Sequence, residues 1–228
     1  MLPRSIEQEN PVRLARAAGV FYVLQVAFGP AMLALKKVFV ATNAAQTTSN
    51  LVAHAALYNL GFTGNLIAIA SYIVVTGLFY ALFRPVNRNM SFLAACFSIT
   101  GCAVLAMSNL FYFAPMLVLT DASMGTHGPQ VVMMFLKLYA QGYNISLVFF
   151  AFYCSVIGWL IFKSGFLPRV LGVGMMAAGI GWLAFLSPPF ARSIYPYVMI
   201  AGIGEAALTI WLLAFGVNRE RWLERAAA

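Results

Sequence analysis

Long uncharged stretches alternate with short, mostly basic runs along this chain. Residues 17–35, 55–83, 89–120, 138–162 and 170–191 hold no Asp, Glu, Lys or Arg, and residues 193–218 hold one, Glu205, before Arg219. A helix needs about 20 apolar residues to cross the hydrocarbon core of a bilayer. The pattern therefore predicts six spans, at about 14–36, 58–83, 91–117, 138–162, 168–188 and 194–216. The roughly ten-residue alternation of a membrane β-strand does not recur. Between the spans, Thr42 and Asn43 offer N-caps for a short helix through Leu51, Ala55 and Leu57. Pro129 is a good first helical position, and from there the helical pattern continues without a break to Phe162. That run is about 51 Å long at 1.5 Å per residue, so residues 130–140 are expected to project beyond the core. The expected fold class is all-α: a polytopic six-helix membrane bundle with short amphipathic helices in the outer loops.

Lysine and arginine placement sets the expected orientation. With the N-terminus inside, Arg4, Arg13, Arg16, Arg84, Arg88, Lys163, Arg169, Arg219, Arg221 and Arg225 are cytoplasmic, and only Lys36, Lys37, Lys137 and Arg192 are outside. The excess favours both termini in the cytoplasm. Residues 1–13 are then a cytoplasmic segment, 14–217 the membrane domain and 218–228 a cytoplasmic tail, in a multi-pass protein of a bacterial inner membrane.

Composition agrees. Apolar residues make up 62% and charged residues 9%, against about 45–50% and 25% in soluble domains. The net charge of +8 comes from runs between apolar stretches and not from a basic face with interleaved aromatics. Nucleic acid is therefore not an expected partner, and anionic membrane lipids are. Cys96, Cys102 and Cys154 all fall in apolar stretches without a paired spacing, which indicates packing. No cofactor motif is present, and His54 and His127 have no metal-ligand spacing around them, so neither cofactor nor metal is expected.

Few residues carry candidate chemistry. Glu205 is the one acid inside a predicted span. Desolvation disfavours its charged form, so a neutral acid without a counter-charge is expected there. Tyr22, Gln25 and Gly29 recur at helical spacing in the first span, where Pro30 frees a backbone carbonyl. Asn65 in the second span and Gln141 with Asn144 in the fourth complete a polar set. Each of these is either an interhelical hydrogen bond or part of a ligand-binding wall around Glu205. Gly172, Gly174, Gly179 and Gly181 form two pairs at seven-residue spacing, a pattern for close helix packing. Arg16-Ala-Ala-Gly-Val also matches Arg169-Val-Leu-Gly-Val, a short sign of a parallel repeat.

The most distinctive segments are 82–88, Leu-Phe-Arg-Pro-Val-Asn-Arg, and 163–169, Lys-Ser-Gly-Phe-Leu-Pro-Arg. With the opening 13–22 and the closing 204–213, they resemble the bacterial membrane family called domain of unknown function 4386. The resemblance covers about residues 13–218 and implies a six-helix bundle without an established activity. It also implies an acid in the second span and an arginine early in the third. Here residues 68–75 hold only Ser71 and Tyr72 as polar groups, and 94–101 only Ser98 and Thr100.

Three functions are compatible with these residues. The first is binding of an apolar small molecule or lipid in an intramembrane pocket around Glu205. The second is an intramembrane enzyme, an acid-catalysed cyclase, isomerase or hydrolase with Glu205 as catalytic proton donor. The third is a proton-coupled exporter, which with six spans would work as a homodimer.

Overall fold

The computed structural model describes residues 10–27, 31–195 and 197–227. Most of the expected N-terminal segment 1–13, and Gly29 and Pro30 of the first span, lie outside the described residues. Among the described residues every regular element is helical. The helices are α1 (Pro11–Ala27), α2 (Ala31–Val38), α3 (Ala44–Ala53), α4 (Ala55–Phe83), α5 (Arg88–Thr120), α6 (Gly128–Ser164), α7 (Arg169–Trp182), α8 (Pro188–Ser193), α9 (Gly202–Ala214) and α10 (Arg219–Ala227). Short 3-10 turns fill Ala122–His127, Leu183–Leu186 and Tyr197–Ala201.

Four helical segments are long and apolar enough to cross a membrane: Ala55–Phe83, Arg88–Thr120, Ser123–Ser164 and Arg169–Leu186. Large apolar side chains also face outward, with Val170 at 72%, Ile180 at 69% and Ile210 at 65% exposure. Water would not tolerate so much exposed apolar surface, whereas lipid does. These features mark a membrane protein.

Local chemistry explains where the helices stop. Pro85 follows the end of α4, and the Asn87 carboxamide accepts from Met90 N at 2.9 Å to start α5. The Lys-Ser-Gly-Phe-Leu-Pro-Arg segment acts as a stop and a start. Gly165 takes φ +76° just after α6, the left-handed turn that ends many helices, and Pro168 stands at the N-cap position of α7 without a side-chain cap bond. Gly165→Ala is expected to cost about 1–2 kcal/mol from that backbone conformation alone. A lowered midpoint of thermal unfolding in detergent is the readout.

The short helix expected through Leu51, Ala55 and Leu57 ends earlier than the sequence pattern predicts. Asn43 does cap it, accepting from Gln46 N at 2.9 Å. At His54 the backbone leaves the helical region (φ −116°, ψ 25°), so Ala55 and Leu57 belong to α4. The helical run expected from Pro129 is one unbroken helix, α6.

The chain divides into two compact units. The first takes residues 10–23, 72–102 and 145–227. In it α7 is packed by its glycines on two faces. A Cβ on Gly172 would lie 2.6 Å from Gly158 O, and one on Gly179 would lie 2.6 Å from Ala151 O, both in α6. A Cβ on Gly181 would lie 2.6 Å from that of Ala201, and Gly174 meets Gly204 backbone to backbone at α9. The seven-residue pairs of the sequence are thus two faces: Gly172/Gly179 toward α6, Gly174/Gly181 toward α9 and the turn before it. Gly19 and Gly172, aligned in the short repeat, have different partners, since Gly19 packs on Leu213 of α9. One end of this unit gathers several chain ends. Trp222 of α10 donates to Leu82 O at the end of α4 (2.9 Å). Asn218 N donates to Phe166 O (3.1 Å), and Gly216 lies against Val12 at the start of α1.

The second unit takes residues 24–71 and 103–144. Its core holds Val38, Leu51, Tyr58, Tyr112, Val132, Leu136 and Tyr139. Tyr58 and Tyr112 stack at 4.2 Å and 7°, and each hydroxyl donates to the other's backbone carbonyl. Thr47 closes the turn before α3 by exchanging hydrogen bonds with Val40.

Candidate functional site

Glu205 lies in the first turn of α9. Its Oε1 accepts from Trp182 Nε1 of α7 at 2.8 Å, and its Oε2 accepts from Tyr22 Oη of α1 at 3.1 Å. Cys154 of α6 lies beside the carboxyl, and no lysine or arginine is among the groups acting on it. Three helices of the first unit, α1, α7 and α9, are therefore joined at one acid through neutral donors, with α6 beside them.

The hydrogen inventory restricts where a proton can sit. An indole N–H only donates, so Oε1 is an acceptor in either charge state and a proton on the carboxyl belongs on Oε2. With the carboxyl ionised, the single Tyr22 proton goes to Oε2. Tyr72 must then be the donor in its 3.4 Å contact with Tyr22 Oη. With Oε2 protonated, the direction reverses: Oε2 donates to Tyr22, and Tyr22 turns its proton toward Tyr72. The Glu205–Tyr22–Tyr72 chain thus has two settings that differ by one proton.

Aromatic rings surround this chain. Tyr22 lies 5.6 Å from Tyr72 and 6.0 Å from Phe79, and Tyr72 lies 4.6 Å from Phe150 and 5.8 Å from Tyr153, centroid to centroid. Tyr153 is buried, yet its hydroxyl has no hydrogen-bond partner, the only such side-chain atom among the described residues. Tyr22 is close to it without the alignment of a hydrogen bond. A buried hydroxyl without a partner is rare because it keeps its desolvation cost uncompensated. One turn further along α4 from Tyr72, Thr76 and Ser98 pair at 2.5 Å.

Of the residues singled out from sequence, Tyr22 and Glu205 are in contact. The others belong to the second unit. Asn65 Nδ2 donates to Asn109 Oδ1 (3.0 Å) and to Tyr139 Oη (3.1 Å), and Asn109 Nδ2 reaches Phe62 O at 3.4 Å. Three helices are tied there by polar bonds. Gln25 and Asn144 are half-buried and Gln141 is exposed.

A family model described as "Domain of unknown function (DUF4386)" matches residues 17–216. The chain belongs to this family. Comparison with curated proteins and with solved structures finds no match. The DUF4386 match takes in Tyr22, Tyr72, Tyr153, Cys154, Trp182 and Glu205, whereas α10 lies beyond it.

Sequence reasoning missed Trp182 as a partner of the acid, and Tyr72, Tyr153 and Cys154 as its surroundings. A signal for two of them was present. Tyrosine favours the membrane–water interface, so Tyr72 and Tyr153, deep in predicted spans, were the anomalous ones.

Proposed function

We propose that the protein is a six-span inner-membrane protein, with both termini cytoplasmic, that holds an apolar small molecule or lipid in a pocket around Glu205. The topology is supported by the ends that meet in the first unit. The start of α1 and the ends of α4, α6 and α9 gather there through Val12, Leu82, Phe166 and Gly216. Points on one side of a bilayer are separated by an even number of crossings, which a six-span arrangement satisfies. The basic residues of that end set the expected cytoplasmic side.

The observation that carries the binding reading is the unpaired Tyr153 hydroxyl beside a carboxyl already supplied with donors. The ligand this chemistry suits is mostly apolar, to lie among Phe79, Phe150 and the tyrosine rings, with one oxygen or nitrogen to meet Tyr153. Tyr153→Phe tests it. A hydroxyl without a partner can be removed at no cost to the fold, so the variant should be as stable as wild type or more so. Organic extracts of the purified protein, read by mass spectrometry, should contain a co-purifying apolar molecule in wild type and several-fold less of it in Tyr153→Phe. Equal extracts from the two proteins would sink the reading.

A second reading is favoured by the two-setting hydroxyl chain: Glu205 protonates the bound molecule from Oε2, and the proton that the molecule releases as it becomes product returns to the carboxylate directly or through Tyr72 and Tyr22. In that case Glu205→Gln, which accepts from Trp182 but delivers no proton, accumulates the unreacted molecule in the same extracts. An unchanged ratio of molecules leaves binding as the function.

A further inference from the structure

α10 is short and highly charged, and it is fastened to the ends of two helices of spanning length. Trp222 is fully buried and bonded to Leu82 O at the end of α4. Arg225 Nη2 donates to Lys163 O at 3.0 Å, and Arg221 Nη1 donates to Gly165 O at 3.1 Å, just past the end of α6. Carbonyls at a helix C-terminus carry a partial negative charge, which explains why two arginines are drawn there. It also places α10 at the level where α4 and α6 leave the apolar core.

Each guanidinium has five N–H donors in a planar fork, and one from each arginine is used on a backbone carbonyl. Between them opens a cavity of about 250 Å³, lined by Ser164, Gly165, Arg221, Glu224 and Arg225. That is below the roughly 300–1,000 Å³ of sites for drug-sized ligands and suits a headgroup-sized one. The lining charge is two positive and one negative, a net single positive charge.

We propose that this cavity binds a phosphodiester monoanion, held by the free guanidinium N–H groups of Arg221 and Arg225. Glu224 rejects more highly charged phosphates by like-charge repulsion, a repulsive element of the kind specific sites use. The same chemistry is offered by an anionic lipid headgroup and by a soluble phosphodiester. The position at the end of two spans favours the lipid.

The test uses the delipidated full chain in detergent and native mass spectrometry. Three probes are titrated: phosphatidylglycerol, its tail-free headgroup glycerophosphoglycerol, and inorganic phosphate. Phosphatidylglycerol should bind saturably, and Arg221→Gln/Arg225→Gln should weaken it about tenfold or more. Because those arginines also cap α6, Glu224→Gln is the second variant, and it leaves both arginine–carbonyl bonds in place. At about pH 8, where inorganic phosphate is mostly a dianion, it should tighten phosphatidylglycerol several-fold and admit inorganic phosphate, which wild type excludes. Glycerophosphoglycerol binding as tightly as the lipid would assign the site to a soluble phosphodiester. Glycerophosphoglycerol competing only weakly would assign it to the lipid. Phosphatidylglycerol binding that none of these substitutions changes would overturn the proposal, as would wild-type binding of inorganic phosphate equal to that of both diesters.

Discussion

Glu205→Ala is expected to lower stability by about 2–4 kcal/mol, while Glu205→Gln stays within about 1 kcal/mol of wild type. Alanine leaves the Trp182 indole and the Tyr22 hydroxyl without their acceptor, and each buried donor so orphaned costs about 1–3 kcal/mol. Tyr22 can turn toward Tyr72 and recover part of this, which keeps the total below the sum of the upper values. Glutamine keeps an acceptor oxygen for Trp182, and its amide donates to Tyr22, reproducing the protonated setting of the chain. Unfolding in mixed detergent with denaturing surfactant, followed by tryptophan fluorescence, measures both variants. Similar midpoints for Glu205→Ala and wild type would mean that the carboxyl does not hold α1 and α7 to α9. The pair of variants also separates structure from chemistry, since only Glu205→Gln is expected to be well folded while unable to deliver a proton.

The larger effect is expected at the glycines. Gly172→Leu should prevent accumulation of folded protein, and Gly172→Ala should cost about 1–3 kcal/mol, the usual range for overpacking. The reason is that the first added carbon meets backbone atoms of Gly158 and Phe162, which cannot rotate away as a side chain can. Gly77 provides the control, because a Cβ there meets no atom within 4 Å. Gly77→Ala should be neutral or stabilising by up to about 1 kcal/mol. Monodispersity on size exclusion and the thermal midpoint distinguish the two positions. Equal behaviour of Gly172→Ala and Gly77→Ala would contradict the backbone contact between α6 and α7.

The parts of the fold that a bilayer dictates were legible in the sequence. An uncharged run of spanning length has to be helical because lipid offers no partner to its backbone, and Ala55–Phe83, Arg88–Thr120 and α6 follow directly. Glycine spacing was also legible, because period seven returns a residue to the same face after two turns. Where the chain leaves regular geometry, the pattern failed. The break at His54 has no proline or glycine to announce it, and Leu183–Leu186 and Tyr197–Ala201 form 3-10 turns, with the short α8 (Pro188–Ser193) between them, within what hydropathy reads as the end of one span and the start of the next. In the candidate site, Glu205 and Tyr22 stood out because they were polar in apolar runs. Trp182 and Tyr153 did not, since neither falls in a spaced polar set like Tyr22, Gln25 and Gly29, and each carries its one polar atom on a large apolar ring. Their placement near an acid 23 and 52 positions away depends on how three helices pack, which no local pattern encodes.

The two glycine faces of α7 have a mechanical consequence. A rotation of α7 by one residue, about 100°, would drive Cβ-bearing positions into the backbones of α6 and α9 at once. These three helices therefore move as a block, and the Trp182–Glu205 bond, internal to that block, stays closed. α1 meets the block at one glycine, Gly19, against the side chain and the backbone nitrogen of Leu213. On the binding reading proposed above, a molecule that reaches the carboxyl from the α1 side must first part the Tyr22–Glu205 bond, the one bond from the carboxyl that leaves the block.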